Sequence, residues 1–97
     1  MINLDKRSKA MIEEILAPYI ARGSLYVFGS RVDGECDAHA DLDLLIRSEQ
    51  ALPFADFLAL KDALEFSELP MRVDLLDWQR VTPEFRQAIE QRCEVWR

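Results

Sequence analysis

The chain lacks the long apolar segments that membrane proteins and secreted precursors carry. The 97-residue sequence contains no uninterrupted run of apolar residues as long as the roughly 18 residues that a membrane-spanning helix needs. The N-terminal MINLDKRSKA has no apolar stretch behind its charged residues, which argues against a secretory signal peptide. We therefore expect a cytoplasmic protein with no membrane contact.

Thiols, imidazoles and positive charge are also scarce. The single histidine and the distant Cys36 and Cys93 argue against a zinc site and fit a reducing compartment, although a disulfide between the two cysteines stays open. Lys and Arg number 12 against 18 Asp and Glu, a net charge of −6, so no dense basic face for duplex nucleic acid is expected. An acidic chain suits a basic protein partner, or an anionic substrate whose charge a metal carries.

Apolar periodicity and turn residues predict one domain over residues 1–97 in which helices and strands alternate. The predicted helices cover 4–20 (bent or ended by Pro18), 31–36, 53–67 and 82–93, and the predicted strands cover 25–28, 41–46 and 71–76. The third helix presents Phe54, Phe57, Leu58, Leu60 and Leu64 as its apolar face, and the fourth turns Phe85 and Ile89 toward the core. The predicted fold class is α/β (α+β), a small mixed sheet of about three strands with helices packed on it.

Two aspartates open the second predicted strand. Side chains two apart on a strand point the same way, roughly 6–7 Å apart, so Asp41 and Asp43 share a face. Two carboxylates at that spacing repel by about 2.5 kcal/mol at an effective dielectric of about 20. Either water screens them at an exposed strand end, or a cation such as magnesium, which takes oxygen ligands, relieves the repulsion.

A third carboxylate follows on the next strand. Asp74 stands between Val73 and Leu75 and so occupies the polar face of an otherwise apolar strand. If that strand neighbours the second, three carboxylates converge, a set that can hold two metal ions about 3.5–4 Å apart at a phosphoryl centre. Asp77, just beyond this strand, is interpreted as a turn residue.

A phosphate site is predicted where the first strand ends. Gly29 and Ser30 follow that strand and precede a helical turn. Glycine allows close approach of a ligand to the backbone, and the N–H groups of a helix start attract anions. Ser30 can donate to a phosphate oxygen, while Arg31 either contacts phosphate or forms a surface ion pair.

Together these residues resemble a known family. Gly29-Ser30, ten intervening residues, then Asp41-x-Asp43 and a later strand aspartate, Asp74, are similar to the G-S-x(10)-D-x-D pattern of the DNA polymerase β-like nucleotidyltransferase superfamily. The segments GSRVDG and ADLDLLI resemble the minimal nucleotidyltransferases, in particular MNT-type antitoxins that pair with HEPN-domain toxins.

The resemblance implies a fold, an activity and a partner. The fold would be that of the polymerase β-like nucleotidyltransferases. Asp41, Asp43 and Asp74 would be the catalytic residues and would bind Mg²⁺ (two ions), and Gly29, Ser30 and Arg31 would bind ATP. The enzyme would transfer AMP from ATP to a hydroxyl, that of a tyrosine, on a HEPN toxin in a hetero-oligomer, as the antitoxin of a type VII toxin–antitoxin system.

Two alternatives remain open. The chain could be an antitoxin that neutralises mainly by binding its toxin, with weak or vestigial catalysis, which its acidic character supports. A D-x-D glycosyltransferase using a sugar nucleotide is the third reading. Such folds are normally much longer, and that reading leaves Gly29-Ser30 unexplained.

Overall fold

A computed structural model describes residues 4–21, 24–29 and 41–96. The helices are α1 (Lys6–Ile15), α2 (Ala17–Ala21), α3 (Phe54–Glu65) and α4 (Pro83–Gln91), and the strands are β1 (Leu25–Phe28), β2 (Leu42–Ile46), β3 (Val73–Asp77) and β4 (Cys93–Val95). A 3-10 turn, Trp78–Arg80, follows β3. The predicted short helix 31–36 lies outside the described residues. Among those that are described, no helix is long and apolar enough to cross a membrane.

The strands form one mixed sheet in the order β3-β2-β1-β4. β1 pairs antiparallel with both β2 and β4, whereas β2 and β3 are parallel, a connection that needs the crossover supplied by α3. The mixed α/β class is confirmed, but the expected count of about three strands is wrong by one. β4 was missed because its three residues follow directly on α4 and gain their strand geometry only by pairing with β1.

The core lies on one face of this sheet. Leu42, Leu44 and Ile46 alternate along β2 and are fully buried there, as the period-2 pattern predicts. Val27 of β1 and Leu75 of β3 belong to the same cluster. Helical residues cover it from one side, namely Ile12, Leu16, Phe57 and Leu64. The side chains that alternate with these core positions therefore face the opposite side of the sheet.

The predicted helix over 4–20 is divided in two. α1 ends at Ile15, and the Leu16 N–H closes its last turn on the Ile12 carbonyl at 2.9 Å. Pro18 has no N–H to continue the α1 hydrogen-bond series, but it is tolerated in the first turn of α2. Pro18 therefore marks a break between two helices.

The boundaries of α3 and β3 differ from the prediction. Pro53 is the N-cap of α3, with extended ψ of 136°, and does not occupy the first helical position. β3 begins at Val73 because its register against β2 runs from Leu42↔Val73 to Ile46↔Asp77, whereas Met71 is buried outside the strand. Strand pairing, and not apolar content, sets these ends.

Three aromatic or aliphatic side chains expected in the core lie outside it. Phe54, Leu58 and Phe85 are 59%, 44% and 47% exposed. The predicted start of α4 is confirmed, since the Thr82 hydroxyl accepts from the Phe85 N–H at 3.2 Å and Pro83 occupies the first turn. The predicted inward position of Ile89 is confirmed as well, because it is buried.

A tryptophan anchors α4. The Arg86 guanidinium donates to the Trp78 carbonyl at 3.1 and 2.8 Å, and the Trp78 ring lies close to the guanidinium groups of Arg86 and Arg47. These contacts connect α4 to the residues that follow β2 and β3, so that the chain leaving α4 returns to β1 as β4.

Asp77 is more than a turn residue. Its side chain has no exposed surface, and it accepts hydrogen bonds from the Leu52 N–H at 2.9 Å and the Gln79 N–H at 3.0 Å. The Arg80 Nε lies 3.5 Å away as a counter-charge. One carboxylate therefore connects the loop before α3 to the turn after β3.

We predict that Asp77→Ala lowers the free energy of unfolding by about 3 kcal/mol, because two backbone donors lose their acceptor in a site with little water. Urea denaturation followed by circular dichroism measures this. Asp62→Ala, which removes an exposed carboxylate of α3, is the matched control and should change the value by less than about 0.5 kcal/mol. Equal, small effects of the two substitutions would contradict the structural role of Asp77.

Candidate active site

The parallel pair of β2 and β3 places two of the predicted carboxylates side by side. Asp43 and Asp74 are register partners, and paired residues on neighbouring strands point to the same face. That face is the one opposite the core. Asp41 immediately precedes β2 and is exposed. Leu45 continues the Asp43 face but is fully buried, so the acidic residues stand where the two strands begin.

The local charge is unfavourable for Asp43. Burial raises the pKa of the Asp43 carboxyl above its ordinary value, and the negative charges of Asp74 and then Asp41 raise that pKa further. The ionised form of Asp43 is thus disfavoured by its surroundings. A group of positive charge bound against these carboxylates would relieve that cost.

Arg72 is a member of the site that the sequence analysis did not identify. Its Nε lies 3.4 Å from the Asp74 Oδ1. The two residues are two apart, flanking the first position of β3, and the strand period of two was the signal that could have found this pair. Both side chains remain substantially exposed, so the ion pair can exchange partners at low cost.

Gly29 packs directly against Asp43. Its φ of +82° lies in the left-handed region that favours glycine, and a Cβ added there would lie 2.6 Å from the Asp43 Oδ2. The Gly29 N–H donates to the Arg92 carbonyl at 3.2 Å, so this residue contributes close packing against the Asp43 carboxylate rather than a hydrogen-bond donor. Ser30 and Arg31, the other predicted phosphate-binding residues, lie outside the described residues.

The donor set is compatible with a hard divalent cation. Asp43 and Asp74 offer only oxygen atoms, with Asp41 nearby, and magnesium commonly binds through one or two carboxylates together with substrate phosphates. Within residues 4–21, 24–29 and 41–96, no three side chains of the His, Cys, Asp or Glu type stand close enough to hold a metal ion as they are. Any metal bound here would therefore need ligands from the substrate or a small adjustment of Asp41.

A cavity opens beside Asp74 at the edge of the sheet. It has a volume of about 540 Å³, and its lining includes Leu69, Met71 and Val73 as apolar surface, with Lys61 and Arg72 as cations. β3 is the outermost strand on this side. The carboxylate pair thus has Gly29 on one side and this cavity on the other.

Removal of the Asp43 charge should stabilise the metal-free protein at neutral pH. A carboxyl with a raised pKa in the fold contributes most to stability below its unfolded pKa, and that contribution is lost as the pH rises through the folded pKa. We therefore expect Asp43→Asn to melt above wild type at pH 7 in EDTA, with a difference that shrinks toward pH 4. Differential scanning calorimetry across that range measures it. A lower Tm for Asp43→Asn at pH 7, with Asp62→Asn unchanged, would contradict the electrostatic account.

A side chain at position 29 should be costly in two separable ways. We predict that Gly29→Ala loses more than about 1 kcal/mol of unfolding free energy, because alanine is strained at positive φ and its Cβ collides with Asp43. The double variant Gly29→Ala/Asp43→Ala removes the collision but keeps the strain. A double-mutant cycle from urea denaturation should therefore show a favourable coupling. Additive effects would show that residues 29 and 43 do not touch.

Comparisons with known proteins agree with this geometry. The family described as Polymerase beta, Nucleotidyltransferase matches residues 10–95. A Haemophilus influenzae protein named Probable protein adenylyltransferase MntA is 39% identical over 88 residues, which cover 91% of this chain and 77% of that protein.

Two solved structures are also similar. A protein assigned as a minimal nucleotidyltransferase superposes with a TM-score of 0.64 at 32% identity, covering 95% of this chain and 93% of that one. A toxin–antitoxin structure with AMP-PNP superposes with a TM-score of 0.69 at 23% identity, covering 91% of this chain and 72% of that one, and shows a shared fold. The family match spans both strands that carry the carboxylates. The chain therefore belongs to the polymerase β nucleotidyltransferase family and is a nucleotidyltransferase.

Proposed function

We propose that this nucleotidyltransferase transfers AMP from ATP to a tyrosine hydroxyl of a HEPN-domain toxin and acts as the antitoxin of that pair. The observation that carries the proposal is the pair of register partners Asp43 and Asp74, with Gly29 packed against Asp43. The 39% identity to a protein named as a protein adenylyltransferase supports a protein acceptor. The similarity in fold to a toxin–antitoxin structure with an ATP analogue supports both the partner and the nucleotide.

Asp41, Asp43 and Asp74 are the residues that would hold Mg²⁺. Their carboxylate oxygens suit that ion, and a bound cation would offset the burial and the neighbouring negative charges that raise the pKa of Asp43. Magnesium would supply neutralisation of the triphosphate charge and activation of the attacking oxygen. Arg72, which pairs with Asp74 in the structure, would be released to contact the substrate or solvent.

The proposed transfer would have the triphosphate and the acceptor on different sides of Asp43. The new bond joins the acceptor oxygen to the α-phosphorus while the bond to pyrophosphate breaks, and the entering and leaving oxygens lie on opposite sides of the phosphorus. In this proposal the triphosphate would lie on the Gly29 side of Asp43, at the end of β1. The cavity beside β3 provides an approach for the acceptor on the other. Asp74, which lines that cavity, is the carboxylate best placed to take the hydroxyl proton.

Neutralisation by binding is the second candidate. The net charge of −6 favours complex formation with a basic protein whether or not AMP is transferred. In that case the carboxylate site would be dispensable for protection, which separates the two candidates experimentally.

The direct test is intact-mass analysis of a HEPN-domain protein, taken from the genes adjacent to this one where they encode such a protein, after incubation with this enzyme, magnesium and each nucleoside triphosphate. We expect a mass increase of one or more AMP units with ATP. The rate should fall by at least about 100-fold in Asp43→Asn or Asp74→Asn, because several kcal/mol of transition-state stabilisation are lost. Glu49→Gln, which neutralises an exposed carboxylate beyond the other end of β2, should retain the wild-type rate.

Two results would decide against the catalytic proposal. Unmodified toxin with every nucleotide, in a stable complex with this chain, would favour neutralisation by binding. Undiminished transfer by Asp43→Asn and Asp74→Asn would place the active site elsewhere.

A further inference from the structure

Helix α3 has an apolar face that the fold leaves uncovered. Its buried residues, Phe57 and Leu64, point into the core. Half a turn away on the same helix stand Ala55, Leu58, Ala59, Asp62 and Phe66, all of them exposed. We call these five residues the outer α3 face. Apart from Asp62, the outer α3 face is apolar. Helix α3 therefore presents apolar side chains on its solvent-facing side as well as on its core-facing side.

Most of the large hydrophobic side chains that stand exposed in the described residues lie on or beside the outer α3 face. Large hydrophobic side chains that stand exposed in the described part of the chain are Phe54 at 59%, Leu58 at 44%, Phe66 at 80% and Phe85 at 47%. Leu58 and Phe66 belong to the outer α3 face, and Phe54 borders it one turn before Leu58. Contiguous apolar exposure of this kind marks interaction sites more often than single exposed residues do.

The shape of the outer α3 face suits another helix. Ala55 and Ala59 are one turn apart and permit close approach of a second backbone, while Leu58 and Phe66 provide ridges beside them. A groove of about 300 Å³ runs alongside, lined by Ala59 and Leu60 of α3 and by Ile15, Pro18 and Tyr19 of the α1–α2 pair. A helix lying in such a groove would bury apolar side chains from both sides.

The charges around this face select the occupant. Asp56, Asp62 and Glu65 are exposed on α3 against one exposed cation, Lys61. A second copy of this chain would bring the same excess of acidic side chains to the contact, and like charges across a symmetric pair are unfavourable. A helix with Lys or Arg beside its apolar stripe would instead be attracted.

We propose that the outer α3 face is the docking surface for a basic amphipathic helix of the toxin partner. This inference rests on the proposed function for the existence of that partner. α3 packs on the core face of the sheet, whereas Asp43 and Asp74 point to the opposite face. Docking here therefore leaves the carboxylates accessible, and affinity for the partner becomes separable from the chemistry of transfer.

The experiment measures the affinity of the full chain for the HEPN-domain protein used in the transfer experiment, by isothermal titration calorimetry. Leu58→Lys and Ala59→Arg alter exposed positions of the outer α3 face, and circular dichroism verifies that both variants are folded. Each of these two variants should raise the Kd for the HEPN-domain protein by at least about tenfold. Phe85→Glu, a substitution of similar exposure on α4, is the matched control and should stay within about twofold of wild type. In a separate titration with AMP-PNP in the presence of magnesium, wild type and all three variants should bind the nucleotide with the same affinity.

The outcomes separate this inference from the function on which it rests. Wild-type binding that both α3 variants retain would overturn the docking surface and leave the proposed function intact. Absence of wild-type binding and of AMP transfer would overturn both. Loss of binding in Phe85→Glu with none in the α3 variants would place the interface on α4 and overturn the inference.

Discussion

The site depends on the register of one strand pair. Parallel pairing of β2 with β3 puts Asp43 against Asp74, and a shift by one residue would turn one of the two carboxylates into the core. The alternating leucines of β2 and the burial of Leu75 hold that register, because any slip would expose them. The apolar core thus holds two like charges at paired positions of neighbouring strands. Burial, and then the charges of Asp74 and Asp41, raise the pKa of Asp43 there.

The sheet divides structural and chemical roles between its faces and ends. Its core face is covered by α1 and α3, and the opposite face carries the carboxylates at the beginning of β2 and β3. Gly29 packs against Asp43 on the β1 side, and the cavity with Arg72 lies on the β3 side. Asp77, at the other end of β3, is buried and fully hydrogen-bonded. Two aspartates of one strand therefore differ in their surroundings, since Asp74 lies on the partly exposed face at the proposed active site and Asp77 faces the connecting loops.

Local pattern was sufficient for some features and not for others. β-Branched and aromatic residues predicted β1, and the period of two predicted which face of β2 Asp43 occupies, because that information lies within a few residues. β4 escaped prediction because it exists only through pairing with β1, and Asp77 escaped because its donors come from distant loops. The outward position of Leu58 depends on which side of α3 meets the sheet, a tertiary property that periodicity alone left ambiguous. The roles assigned to Ser30 and Arg31 stay predictions.

The central claim is that the face carrying Asp43 and Asp74 binds a divalent cation with the nucleotide. Paramagnetic broadening of amide resonances by substoichiometric Mn²⁺ with AMP-PNP tests it most directly, since the effect is short-ranged and maps the ion onto the sequence. The account predicts broadening first at Gly29, Leu42–Leu44 and Val73–Leu75, removed by Asp43→Asn and competed by Mg²⁺. Broadening centred on the acidic residues of α3, or unchanged in Asp43→Asn, would contradict it.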